Sequence, residues 1–154
     1  MSDWTVPVPT AQAMHDLGVR LAGVLRTGDL VVLSGGLGAG KTTLTQGIGE
    51  GLKVRGPITS PTFVIAREHP SLCGGPPLIH VDAYRLAGFA EVDDLDLDAS
   101  LDAAVTVVEW GEGLVEDLAA DRLEIEIALK EPDGYERFVR FVGIGDRWCG
   151  VSSL

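Results

Sequence analysis

The sequence predicts one α/β domain over residues 1–154, a three-layer fold with a mostly parallel core sheet and antiparallel flanking strands. Residues 30–33, 78–81 and 105–108 are apolar without alternation, which is typical of strands covered on both faces. Residues 123–129 and 138–142 instead alternate apolar and polar side chains, with Gly134 between them. This second pattern predicts an antiparallel hairpin with one exposed face.

Two helices are expected on this sheet. Thr10 can cap the first, in which apolar residues recur at helical spacing until Gly28 stops the pattern: Met14, Leu17, Leu21 and Leu25. The second covers residues 41–52, after a glycine-rich segment. Prolines at 57 and 61 then predict a non-helical stretch that leads into a further strand at 63–66.

Composition restricts the partners. The chain carries 23 acidic and 12 basic residues, a net charge of -11, which disfavours stand-alone binding to nucleic acid. Cys73 and Cys149 form no CxxC or Cys/His cluster and are expected to be unpaired thiols of a reducing compartment. Since neither a signal peptide nor a membrane-spanning apolar run is evident, we expect a soluble, cytoplasmic protein.

The strongest motif is residues 35–42, GGLGAGKT, a full match to the phosphate loop G-x-x-x-x-G-K-[ST]. Glycines let backbone N–H groups converge on phosphates, and the following helix directs its positive end at the same anion. Lys41 adds a cation, and the Thr42 hydroxyl is placed to ligate Mg²⁺. An apolar strand before the loop and a helix after it support the assignment. The sequence therefore predicts a site for a nucleoside triphosphate with Mg²⁺.

Phosphoryl transfer also needs a carboxylate on the metal side and a group that places the attacking water. Asp82 and Glu109 each follow a buried strand, and ligands of open α/β sheets bind at the carboxyl ends of strands. Taken alone, each residue is equally well explained as a solvated loop acid; the phosphate loop favours the functional interpretation. Thr62 could approach the γ-phosphate from a loop, although composition alone favours an ordinary turn that enters the next strand. ATP is favoured over GTP because the chain lacks [NT]-K-x-D and contains no asparagine.

Four segments together resemble the TsaE family, formerly YjeE, bacterial P-loop ATPases of tRNA threonylcarbamoyladenosine (t6A) synthesis. They are GLGAGKTT at 36–43, SPTF at 60–63, HVDAYRL at 80–86 and VEW at 108–110, and the resemblance spans about residues 10–110. One departure is Gly36, where the family often has an acidic residue; this position is free in the motif.

The resemblance implies roles for individual residues. Thr42 and Glu109 would ligate Mg²⁺, Asp82 would belong to the same metal site, and Thr62 would be a switch residue. Catalytic candidates are therefore Lys41, Asp82, Glu109 and Thr62. Candidate nucleotide contacts are Thr10, Gly35, Gly38, Ala39, Gly40, Lys41, Thr42, Thr43 and Trp110.

The resemblance also implies a partner. Family members work with a TsaB–TsaD pair, and the resemblance implies that ATP hydrolysis resets that complex. The protein would therefore reach tRNA only through the complex. Two other functions stay open: a small-molecule kinase using the same loop, and a nucleotide-dependent binding module with negligible turnover. No arginine lies between Arg85 and Arg122, which counts against a kinase lid.

Overall fold

The computed structural model describes residues 2–36, 38–58, 66–82, 102–109, 121–132 and 134–151. For Asp82 it describes the backbone only. These residues form one seven-stranded sheet with two α-helices and a short 3-10 helix at Asp146–Trp148. In chain order the elements are β1 (Ser2–Val8), α1 (Ala11–Ala22), β2 (Leu30–Gly35), α2 (Lys41–Leu52), β3 (Ala66–His69), β4 (Leu78–Asp82), β5 (Val105–Glu109), β6 (Arg122–Leu129) and β7 (Arg137–Ile144). No helix within the described ranges has the length and apolar character needed to cross a membrane.

The sheet has the order β1-β7-β6-β2-β5-β4-β3. Strands β6, β2, β5 and β4 run parallel and form its centre. Antiparallel strands flank them, β3 at one edge and β7 with β1 at the other. This arrangement confirms the predicted fold class. Strand β6 has a double role, because it joins the parallel core beside β2 and also forms the predicted hairpin with β7.

The two helices begin as expected, but the first ends early. The Thr10 hydroxyl accepts a hydrogen bond from the Ala13 amide at 3.1 Å, which confirms the cap. Helix α1 ends at Ala22 with Gly23 as its C-cap, so the expectation that it continues to Gly28 is wrong. Leu25 is buried nonetheless, from the connection that follows the helix. Helix α2 has the predicted bounds.

Two strands differ from the expectation. Strand β1 was not foreseen; among the described strands it pairs only with β7. It contains Pro7, which an edge strand tolerates because one side of its backbone needs no partner. Strand β3 begins at Ala66, and the rest of the strand expected at 63–66 lies outside the described residues. Both cysteines are free, as predicted, and both are exposed.

The core lies between the helices and one face of the sheet. It contains alternate residues of the central strands, such as Val31, Leu33 and Val107, together with Leu17 and Leu44 of the helices. Leu30, Val32 and Val108 are equally buried on the opposite face, as expected for a sheet inside a three-layer fold.

The helices touch through glycines. A Cβ added to Gly47 of α2 would lie 2.1 Å from the His15 carbonyl oxygen of α1, and one added to Gly18 would lie 2.3 Å from the Leu44 oxygen. Because the backbones are in contact, the beginning of α1 is fixed relative to the beginning of α2.

Candidate active site

The phosphate loop connects the end of β2 to the beginning of α2. Gly38 has φ +75° and Gly40 has φ +112°, conformations that side-chain-bearing residues rarely adopt. The expected backbone geometry at these two positions is therefore confirmed. Gly40 caps α2 without a side-chain hydrogen bond, so the first turn of this helix faces the loop uncapped by any side chain. Such a terminus binds anions through its amide groups and its dipole.

Lys41 extends back over the loop. Its ammonium donates to the carbonyl oxygens of Gly35 and Gly36 at 2.8 and 2.9 Å, and the residue is only 7% exposed. These two bonds hold the cation at the mouth of the loop, beside the uncapped helix end. A single anion can thus interact with the ammonium and the helix dipole together. Thr42 and Thr43 follow in the first turn and are partly buried.

Two carboxyl-bearing residues meet at the adjacent strand ends. Glu109 ends β5, and its Cα is paired with that of Leu33 on β2 and that of Asp82 on β4. The Glu109 side chain is 5% exposed, and its Oε2 lies 3.4 Å from His80 Nε2. Because Gly35 follows Leu33 by two residues, Glu109 and Asp82 share one edge of the sheet with the phosphate loop.

This donor set fits Mg²⁺. Mg²⁺ is usually held by one or two carboxylates together with the phosphates of its substrate, and seldom by a cage of protein ligands. A buried carboxylate beside the loop and a hydroxyl in the first turn of α2 provide that chemistry. In the described part of the chain, no group of three or more His, Cys, Asp or Glu residues is arranged to hold a metal by itself.

An open groove of about 150 Å³ lies on the other side of the loop. We call it the loop groove; it is lined by loop residues 38–40 and by Thr10, Met14, Thr43, Tyr135 and Arg137. Thr10 and Thr43 come from the beginnings of α1 and α2. Two of the predicted nucleotide contacts therefore border one cavity with the loop.

Arg137 was missed by the sequence analysis. Its guanidinium donates to the Ala39 oxygen at 3.2 Å, to the Gly38 oxygen at 3.4 Å and to the Gly134 oxygen at 2.9 Å. It belongs to no motif, and it reaches the loop only because β6 lies next to β2 and carries the hairpin with it. Tyr135, which is 86% exposed, stands at the rim of the groove for the same reason.

Several predicted residues cannot be placed. Thr62 and Trp110 lie outside the described residues, and so does the side chain of Asp82. Gln46 of α2 donates to the Ile58 oxygen at 2.8 Å, which anchors the chain just before the segment that contains Thr62. The roles assigned to Thr62, Trp110 and Asp82 stay predictions.

A parallel core sheet with a phosphate loop between β2 and α2, and acidic residues at neighbouring strand ends, defines a P-loop NTPase-like protein. Residues 8–138 match the family model described as "Threonylcarbamoyl adenosine biosynthesis protein TsaE". The chain belongs to the TsaE family.

Similar proteins agree with this membership. The chain is 63% identical over 139 residues to the tRNA threonylcarbamoyladenosine biosynthesis protein TsaE of Streptomyces coelicolor, covering 88% of this chain and 94% of that one. It is 40% identical over 128 residues to the Bacillus subtilis protein of the same name, covering 82% and 77%. The crystal structure of Bacillus subtilis YdiB superposes with a TM-score of 0.72 at 32% identity, covering 95% of this chain and 88% of that one.

Proposed function

We propose that this protein is a Mg²⁺-dependent ATPase that supports the t6A modification of tRNA by binding and resetting a TsaB–TsaD complex. Membership of the TsaE family supports the role in t6A biosynthesis. The observation that carries the ATPase assignment is the arrangement of Lys41 over an uncapped helix end beside the buried carboxylate of Glu109.

In this proposal the phosphate chain lies in the loop. Backbone amides of residues 38–43 and the Lys41 ammonium would bind the phosphates, while Thr42 and Glu109 would hold Mg²⁺, with Asp82 beside them. The bound Mg²⁺ would neutralise charge that develops on the phosphate oxygens. Thr62 would sense the γ-phosphate, and the Gln46–Ile58 hydrogen bond would fix the start of its segment on α2.

The nucleoside would extend into the loop groove. Its walls combine the first residues of α1, the first turn of α2 and the Arg137 guanidinium. Thr10 and Thr43 offer hydroxyls for a ribose, and Trp110 is the remaining candidate contact for the base. ATP is preferred to GTP here on the absence of a guanine-reading motif.

Family membership also supports a proposal for the partners and the location. With a net charge of -11, the protein is not expected to hold tRNA alone, so the nucleic acid would be reached through the partner complex in the cytoplasm. Sub-micromolar binding of tRNA by the isolated protein at physiological salt would contradict this part of the proposal.

Lys41→Ala tests the assignment. We expect ATP turnover, measured with and without TsaB and TsaD, to fall by about 10² or more, because a cation aimed at the transferred phosphate is worth that much in related sites. Lys53→Asn is a matched control, since Asn tolerates the left-handed backbone of Lys53 (φ 59°) at the far end of α2.

Equal turnover in wild type and Lys41→Ala would overturn the active-site assignment. Phosphate transfer to a metabolite in an acceptor screen would favour the kinase alternative. Nucleotide-dependent partner binding with no phosphate release would favour the binding module.

A further inference from the structure

His80 is buried next to Glu109, the candidate metal ligand. It lies on β4 between the strands that carry Arg67 and Val107, and it is 1% exposed. Its Nε2 has no hydrogen-bond partner among the described atoms, yet this nitrogen lies 3.4 Å from Glu109 Oε2. The contact is therefore close, but it lacks the geometry of a hydrogen bond.

A polar atom in this position needs an explanation. A buried donor or acceptor without a partner destabilises the folded protein, whereas an apolar side chain of similar size would fill the same space without that cost. On the face of the sheet that His80 shares, Leu78 of β4 and Val107, the β5 residue paired with His80, are apolar members of the core. The imidazole thus occupies a site where packing alone would favour leucine.

We infer that His80 is a positioning residue for Glu109: its Nε2–H donates to Oε2 when the other carboxylate oxygen is engaged by Mg²⁺. The inference rests on the proposed function, because it requires Glu109 to ligate the metal. Carboxylates that bind metals are commonly oriented by hydrogen bonds from an outer layer of residues, and loss of such a partner costs 10–100-fold in metal affinity. A small rotation of the Glu109 side chain would bring the 3.4 Å contact into hydrogen-bond range.

His69 provides an internal comparison. It is also buried, and its Nε2 also lacks a hydrogen-bond partner among the described atoms. It lies on β3, one strand further from Glu109, and its Nδ1 contacts the Arg55 oxygen at 2.9 Å. A substitution at His69 thus reproduces the loss of a buried imidazole without touching the Glu109 carboxylate.

The experiment uses His80→Leu, His80→Gln and His69→Gln in the full chain. Leucine removes the donor and keeps apolar bulk, while glutamine can place an amide nitrogen near the position of Nε2. For each protein, the thermal midpoint is measured with ADP or a slowly hydrolysed ATP analogue over a range of Mg²⁺ concentrations. The half-saturating Mg²⁺ concentration is obtained from this stabilisation and, separately, from turnover.

We expect His80→Leu to raise the half-saturating Mg²⁺ concentration about 10–100-fold. The affinity for nucleotide without Mg²⁺ should stay unchanged. His80→Gln should recover most of the loss, and His69→Gln should match wild type. If leucine lowers the thermal midpoint without ligand too far for a comparison, His80→Asn serves as the deletion, because its shorter amide does not reach the position of Nε2.

An unchanged half-saturation in the deletion variant would overturn the inference, and so would a glutamine variant no better than the deletion. A wild-type protein whose thermal midpoint with nucleotide does not respond to Mg²⁺ would instead overturn the proposed function. The two failures are therefore distinguishable.

Discussion

Arg137 on β7 donates a hydrogen bond from Nε to the carbonyl oxygen of Ala39, 98 residues earlier in the phosphate loop, at 3.2 Å. Together with its bond to the Gly134 oxygen, this contact ties the β6–β7 hairpin to the loop that would hold ATP. The guanidinium orders the loop from outside the motif and adds a positive charge beside the groove.

Arg137→Gln should weaken ATP and ADP binding by about tenfold. A hydrogen bond from a charged group to a backbone oxygen contributes about 1.5–3 kcal/mol. Because Arg137 is half-buried, water can replace part of this contribution in the variant. Isothermal titration with each nucleotide measures the change. Arg140→Gln is the matched control, because this arginine on the same strand pairs with the exposed carboxylate of Asp3. If Arg137→Gln binds ATP and ADP as tightly as Arg140→Gln does, the Arg137 hydrogen bonds do not support nucleotide binding.

Glu109→Gln should reduce ATP turnover by about 100-fold, which corresponds to ~3 kcal/mol, while nucleotide binding without Mg²⁺ persists. The substitution keeps the shape of the side chain and removes only its charge. Turnover is measured as phosphate release over a range of Mg²⁺ concentrations. Glu124→Gln, which loses a surface pair with Arg122, controls for the removal of a carboxylate. Normal hydrolysis by Glu109→Gln would move the metal role to Asp82.

Gly47→Ala should destabilise the fold, although alanine is the better helix former by about 1 kcal/mol. The added Cβ would lie 2.1 Å from the His15 oxygen and 3.0 Å from the Gly18 Cα, so the helices must separate. We expect a net loss of about 2 kcal/mol, or roughly 4–8 °C in thermal midpoint. Gly75→Ala, whose Cβ would meet nothing closer than 3.6 Å, should change little. An unchanged or raised midpoint in Gly47→Ala would contradict the close backbone packing.

His69 should make stability dependent on pH. Burial lowers the pKa of its imidazole, against the opposing effect of the hydrogen bond to the Arg55 oxygen. The unfolded chain therefore binds a proton more readily than the folded one near pH 6, so the free energy of unfolding falls as pH falls through the ordinary histidine range. His69→Gln should flatten this dependence of the unfolding free energy between about pH 7.5 and about pH 5.5. Denaturant unfolding at several pH values in this range measures the change. A slope identical to that of wild type would exclude His69 as its source.

The parts of the site that depend on contiguous sequence could be predicted. The phosphate loop fixes its own geometry through glycines such as Gly38 and Gly40, whose left-handed backbone has a local cause. The pairing of Asp82 with Glu109 was also foreseeable, since both follow buried strands and parallel strands end at one edge of the sheet.

The parts of the fold and the site that depend on strand order could not be predicted from the sequence. Arg137 reaches the loop only because β6 inserts next to β2, and no local pattern around residue 137 indicates that neighbour. Strand β1 was missed because Pro7 disfavours a strand and because its partner β7 lies far away in the sequence. The early end of α1 was missed because Leu25 continues the apolar spacing although it packs from a loop.

The pairing of β1 with β7 has a consequence for how the protein is made. Ser2 pairs with Gly143, so β1 leaves the ribosome long before its partner β7 has been synthesised. The phosphate loop, α2 and β5 are all synthesised in that interval, while the row of unpaired β1 backbone groups stays exposed. Contacts between such distant residues form slowly, because a long chain must close before they yield any stabilisation. Vectorial synthesis thus leaves this edge of the sheet open until the final residues of the hairpin emerge.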